Sequence, residues 1–294
     1  MGLGSILIPT FLCFAAASSA LIRSRWERRQ LRVEYYDIPW EEDQELKLAF
    51  LSDLHDYCRD FGIDGILNAL KEASPDLVLL GGDMLTCQKH AGWTADPDPT
   101  LQLIERIAQD YTVIYAEGNH ETRLRSRHPE VFESYKRRLE EAGVIYLIND
   151  RVLLDKIAIY GITLDEYYYR HLFPGFGKKI PMPQDQILKQ LGLPEKGRYN
   201  ILLLHSPLYL EEASSWGADL VLSGHFHGGT IRLPSKGSPG LMTPQYQFFV
   251  KECSGEHVSK NKKTRMIVSR GLGTHSINMR LNDLPEISLV RLKK

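Results

Sequence analysis

Short apolar runs of strand length recur along this chain, and five of them break off on an aspartate, asparagine or histidine. "AFLSDLHD" ends in Asp53 and His55, "LVLLGGD" in Asp83, and "VIYAEGNHE" in Asn119 and His120. Further on, "ILLLHSP" ends in His205 and "LVLSGHFHGG" in His225 and His227. Between the early runs lie stretches of helical period: "IDGILNALKEASP", "TLQLIERIAQD" and "PEVFESYKRRLEEAG". This alternation predicts an α/β fold, and open α/β sheets build their sites at the carboxyl ends of their strands. The second half is richer in strands, with "VLLDKIAIYGI", "TRMIVSRGLG" and "EISLVRL". The expected architecture is therefore two packed mixed β-sheets flanked by helices.

Any one of these polar residues has an ordinary explanation. An aspartate after a strand commonly caps a helix or forms a turn, and a lone histidine is most often a hydrogen-bonded structural residue. Five coincidences weaken that explanation, because turns have no need of imidazoles. Two carboxylates, four imidazoles and an amide on one edge would cost roughly several kcal/mol in desolvation and repulsion. A pair of divalent cations removes that cost. The donor set contains no thiolate, which suits manganese, iron or zinc better than magnesium or calcium without choosing among those three. Manganese is the expected ion, with iron or zinc as alternatives. His225 and His227 stand at i and i+2, which on a strand puts both on one face, and the adjacent glycines predict room for a phosphate to approach.

The ordered set "DLH … GGD … GNHE … H … GHFH" resembles the calcineurin-like metallophosphoesterase superfamily over about residues 46–292. The resemblance implies a four-layer αββα sandwich and a metal-dependent phosphodiesterase. It implies that Asp53, His55 and His227 hold one metal, that Asn119, His205 and His225 hold a second, and that Asp83 bridges them. It implies that His120 acts beside the scissile oxygen while two cations acidify the attacking water and neutralise phosphoryl charge. The tail "SRGLGTHSINMRLNDLPEISLVRL" is similar to a bacterial membrane-associated branch. Some members of that branch hydrolyse UDP-2,3-diacylglucosamine in lipid A biosynthesis. Two features depart from the wider pattern. Thr86 and Cys87 stand where many relatives place a second aspartate to orient the histidine, leaving Asp56 and Glu121 as candidates for that task. Glu117 stands where the phosphoprotein phosphatases have arginine.

Arg123, Arg125 and Tyr168, the last within an aromatic run from Tyr167 to Tyr169, are candidate substrate contacts. Cys58 and Cys87 follow metal motifs but read as ordinary small residues, because the ligand set is already full. The net charge of −1 provides no basic field for nucleic acid, and no obligate protein partner is evident. Residues 5–22 carry no charge; as a helix they would span roughly 27 Å, close to the thickness of a thin bilayer. Five arginines follow within "RSRWERRQLR". An uncleaved anchor over residues 1–24 fits best and places the catalytic domain in the cytoplasm. A cleaved signal peptide is the alternative, against which the usual positive leader is missing. Residues 25–45 read as a polar connector and residues 46–294 as the catalytic domain, with residues 86–99, 165–184 and 234–263 as loops.

Overall fold

A computed structural model of the chain describes residues 4–56, 61–87, 97–170, 179–234, 237–274 and 278–294, with side chains from residue 13 onward. Two six-stranded sheets face each other. The first runs, in spatial order, β1 (Arg32–Pro39), β14 (Glu286–Lys293), β2 (Leu46–Leu51), β3 (Leu77–Leu80), β4 (Thr112–Ala116) and β5 (Ile145–Leu147). The second runs β12 (Gly255–Val258), β13 (Arg265–Val268), β9 (Leu220–Ser223), β8 (Tyr199–Leu204), β7 (Ile157–Ile162) and β6 (Asp150–Leu154). Both are mixed. β2, β3, β4 and β5 pair in parallel while β14 runs antiparallel to β2, and β7, β8, β9 and β13 are parallel with antiparallel edges.

The apolar runs are continuous because both faces of each sheet are covered. In β2, Leu48 and Phe50 point between the sheets, where they meet Leu79, Ile114, Ile201, Leu203, Leu220, Leu222 and Val290. Ala49 and Leu51 point outward, into the layer made by α2 (Gly62–Ala73), α3 (Asp98–Asp110) and α5 (Pro129–Glu141). On the far side, Tyr160, Leu202 and Val221 pack against α6 (Gln186–Leu191) and α7 (Leu210–Trp216). Each fully buried leucine, isoleucine or phenylalanine contributes on the order of 2 kcal/mol, so three apolar layers hold the strand ends in fixed register. The predicted two-sheet sandwich is what the chain forms.

Several local readings differ. The stretch read as a connector contains β1, which pairs in parallel with β14 along its whole length. Its alternation of half-buried and exposed positions made it look polar. Residues 234–263 contain a small hairpin, β10 (Gly240–Met242) with β11 (Phe248–Val250), as well as β12. Residues 88–96 and 171–178, within two of the predicted loops, lie outside the described residues, as does Cys58. The N-terminal segment forms α1 (Gly4–Glu27). Much of the expected anchor precedes the first described side chain, and among the described residues no helix is long and apolar enough to cross a membrane.

Candidate metal centre

Beyond the carboxyl ends of β2 and β3 the chain continues as two parallel loops. Asp53, His55 and Asp56 donate their N–H groups to the carbonyls of Gly82, Asp83 and Met84 at 3.0, 3.1 and 3.0 Å. A third loop, after β4, leads into α4 (Asn119–Arg127). No methyl group fits between them: a Cβ on Gly82 would lie 2.1 Å from the Gly118 nitrogen, and one on Gly118 would lie 2.3 Å from Asp83 Oδ1. Glu121 ties the three together. Its carboxylate accepts from the N–H groups of Asp83 (2.8 Å), Met84 (2.9 Å) and Gly118 (2.9 Å) and from the Tyr115 hydroxyl (2.7 Å).

The ligand-type residues do not lie on strands. Asp53, His55, Asp83, His225 and His227 all have positive φ, at 54°, 52°, 51°, 70° and 46°. Each such residue costs roughly 1 kcal/mol, and this strain is tolerated where function over-determines the backbone. Strand alternation therefore does not explain why His225 and His227 enter the site together. β9 ends at Ser223, and the two histidines follow in left-handed turns. Nor do the surrounding glycines leave space for a phosphate. A Cβ on Gly224 would meet Asp53 Oδ2 at 2.2 Å, one on Gly228 would meet Asp283 Oδ1 at 1.9 Å, and one on Gly229 would meet the Gly240 Cα at 2.4 Å. The protein's own chain fills that room.

These loops gather Asp53, His55 and His227 in one group, Asp83, His205 and His225 in another, and His55, Asp83 and His120 between them. In each group the donor atoms lie within 4.8 Å of one another, and all are buried. His227 Nε2 is 3.0 Å from His55 Nε2 and 3.5 Å from Asp53 Oδ1, and His205 Nε2 is 3.1 Å from Asp83 Oδ2. Such separations match ligands sharing one ion at about 2.0–2.2 Å from each. Asn119 Oδ1 is buried and accepts no hydrogen bond within the described structure. His225 donates its N–H to both oxygens of Asp53 at 3.0 Å, stitching one group to the other.

Tautomers separate the histidines by role. The ring Nδ1 atoms of His205 and His227 contact the carbonyls of Gly81 (2.7 Å) and Gly273 (3.2 Å). A carbonyl can only accept, so Nδ1 carries a proton and Nε2 turns inward, the nitrogen that each ring would offer a metal once neutral. His120 is reversed. Its Nδ1 accepts the Cys87 N–H at 2.7 Å, so the proton sits on Nε2, which lies 4.0 Å from Asp83 Oδ2. His120 is thus built as a hydrogen-bond donor facing the cluster. Its orienting partner is a backbone amide; Asp56 and Glu121, the carboxylates considered for that task, hold the loop carrying the amide. Asp56 accepts from the Thr86 N–H and the Thr100 hydroxyl, each at 2.8 Å.

The electrostatics ask for positive charge. Burial, reinforced by Asp83 and opposed by His205, pushes the Asp53 carboxyl up to about 6. For Asp83, burial acts upward as the largest single influence, yet His205, His120 and His55 together hold it well below the usual carboxylate range. Burial tends to lower His205, but the two carboxylates carry it up to about 10. A proton shared this tightly between imidazole and carboxylate stands where a cation would. The donor set, its burial and the inward-facing Nε2 atoms of His205 and His227 all fit a pair of divalent ions.

The sequence profile of the calcineurin-like phosphoesterases matches residues 46–229, a span that contains His120 and every ligand-type residue named above. The chain belongs to the calcineurin-like phosphoesterases. Within that family it is similar to the uncharacterized metallophosphoesterase YkoQ of Bacillus subtilis, with 26% identity over 247 residues, covering 83% of each chain. It is equally similar to the phosphodiesterase YaeI of Escherichia coli, with 26% identity over 250 residues, covering 84% of this chain and 82% of that one. An uncharacterized metallophosphoesterase of Aquifex aeolicus aligns over 92% of this chain and 95% of its own, with 25% identity. The protein is a metal-dependent phosphoester hydrolase.

The predicted substrate contacts are placed differently from the cluster. Arg123 is buried, with Nη1 donating to the Cys87 carbonyl at 2.6 Å and Nε to Glu166 at 3.0 Å, so it braces the loop that orients His120. Arg125 pairs with the buried Glu117 at 3.2 Å. Tyr168 stacks edge-on with Tyr209, their ring centres 5.7 Å apart. Its neighbour Tyr169 does reach the centre, 5.0 Å from the His225 ring and 6.0 Å from that of His205. Ser52, whose hydroxyl donates to Asp53 Oδ2 at 2.7 Å, was not singled out in the sequence, although it precedes the first ligand.

Proposed function

We propose that this chain is a dinuclear, manganese-preferring phosphodiesterase or pyrophosphatase that works at a membrane on a lipid-linked nucleotide such as UDP-2,3-diacylglucosamine. Asp53, His55 and His227 would hold one ion, Asn119, His205 and His225 the other, and Asp83 both. When bound, the ions supply an acidified water and a positive field for the phosphoryl group. The chain does the rest: His120 Nε2–H donates to the leaving oxygen, the Cys87 amide keeps that proton in place, and Tyr169 shields the second group. The observation that carries the proposal is the two ligand groups linked where His55 meets Asp83, 3.9 Å apart, beside a histidine of opposite tautomer.

The relative named a phosphodiesterase supports diester cleavage. Two features support a lipid surface. On α1, Leu21, Ile22 and Trp26 are exposed (59%, 72% and 59%) beside exposed Arg23 and Arg25, the mixture that interfacial helices carry. The β10–β11 hairpin exposes Leu241, Tyr246, Phe248 and Phe249, and Gln245 in its turn donates to the Arg170 carbonyl, next to Tyr169. The arginines that follow the uncharged segment favour a cytoplasmic catalytic domain; export through a cleaved signal peptide is the alternative.

The test is a hydrolysis screen with the full chain in detergent and Mn²⁺, offering UDP-2,3-diacylglucosamine, cyclic nucleotides, phospholipids and bis(p-nitrophenyl) phosphate. Preferential release of uridine monophosphate is expected. Cleavage of simple diesters alone would overturn the lipid assignment and leave the diesterase.

A further inference from the structure

The last turn of α1 is built into the catalytic body. Ser24 and Glu27 are each 2% exposed. The Ser24 hydroxyl accepts the Arg280 N–H at 3.0 Å, and the Glu27 carboxylate accepts the Asp283 N–H at 3.4 Å. Between those two contacts lies a buried ion pair, Arg280 Nη1 to Asp283 Oδ2, at 3.2 Å. The other arm of the Arg280 guanidinium shares its two N–H bonds among three carbonyls, those of Arg270 (2.8 Å), Gly271 (3.0 Å) and Gly273.

The loop so gripped is the one against which the first ligand group rests. The Gly273 carbonyl accepts His227 Nδ1–H and so sets its tautomer. The N–H groups of Leu272 and Gly273 donate to the carbonyls of Ser52 (3.0 Å) and Asp53 (2.7 Å). A Cβ on Gly271 would lie 2.7 Å from that of Asp53. From the other side, Asp283 presses on the turn at Gly228, between His227 and the rest of its loop. Removing charges from water makes a buried ion pair a weak source of stability, so its contribution here is geometric. An arginine fork holding three carbonyls fixes a loop more tightly than any single contact could.

We propose that Arg280 and Asp283 are positioning residues for the ion held by Asp53, His55 and His227, and that α1, through Ser24 and Glu27, is their outer support. This rests on the dinuclear reading above. Among the described residues, Asn119, His205 and His225 meet this loop only indirectly, through the His225 N–H on Asp53, so the two ions should respond differently when the support is weakened.

The experiment compares full-length wild type, Ser24→Ala/Glu27→Gln, Arg280→Lys and a His227→Ala reference. Mn²⁺ titrations followed by electron paramagnetic resonance and by bound-metal content are read beside thermal unfolding. Outer-shell changes cost metal affinity about 10–100-fold. Each α1 and Arg280 variant should lose one ion by that factor, keep the other at wild-type affinity and, like His227→Ala, exchange a coupled two-ion spectrum for a mononuclear one. Wild-type affinity for both ions, alongside lowered stability, would overturn the proposal, as would equal weakening of both. A wild-type protein that binds no ion pair would instead reject the dinuclear reading itself.

Discussion

His120 differs from His205 and His227 in where its proton sits, and one backbone amide makes the difference. Replacing His120 with alanine should lower turnover about 10²–10⁴-fold, the range for losing a general acid. The same variant should retain both ions when bound metal is counted after gel filtration; loss of an ion would make His120 a ligand. Its position was legible in "GNHE", because histidine types and spacings survive in sequence. Its partner was not, because any residue except proline offers an N–H, and the identity of Cys87 carries no sign of it. The glycines misled for a related reason. A glycine announces that something comes close, and here the visitors are Asp53, Asp283 and Gly240 rather than a substrate.

β1 and β14 show how an element can be misread from its polarity. β1 is an edge strand, so half of it faces water and its pattern resembles a linker. What ties the pair together is buried polar chemistry: Glu286 accepts from the Tyr36 hydroxyl at 3.0 Å and from Ser288, with Arg270 at 3.3 Å. Burial raises the Glu286 carboxyl above its ordinary range, against the pull of Arg270. The folded chain therefore holds this proton more tightly than the unfolded chain does. Its contribution to stability falls as pH rises from the unfolded value, near 4.5, to the higher folded one, and stays low above it. Glu286→Gln removes that loss. The melting temperature of the variant minus that of the wild type should increase from pH 4.5 to pH 8; a flat or falling difference would contradict this assignment. Three helices, by contrast, were legible from period alone, since α2, α3 and α5 each bury one apolar stripe on the first sheet, whereas the shorter α4, α6 and α7 were not read.

For the molecule as a whole, two sheets packed face to face bring loops from distant parts of the chain to one rim. The sandwich could be read from the alternation of apolar runs and helical stripes, and the ligand types from the residues ending those runs. How the rim is assembled could not, since it depends on left-handed turns and on the grip of Arg280 on a loop distant in sequence from the ligands that rest on it. The central claim is that Asp83 belongs to two cages at once. Metal content and diester hydrolysis of full-length Asp83→Asn, measured beside wild type with Mn²⁺, test it most directly. The account predicts two ions per wild-type chain, weakened binding of both in the variant, and hydrolysis reduced at least ~10³-fold. Two ions retained with undiminished hydrolysis would contradict it.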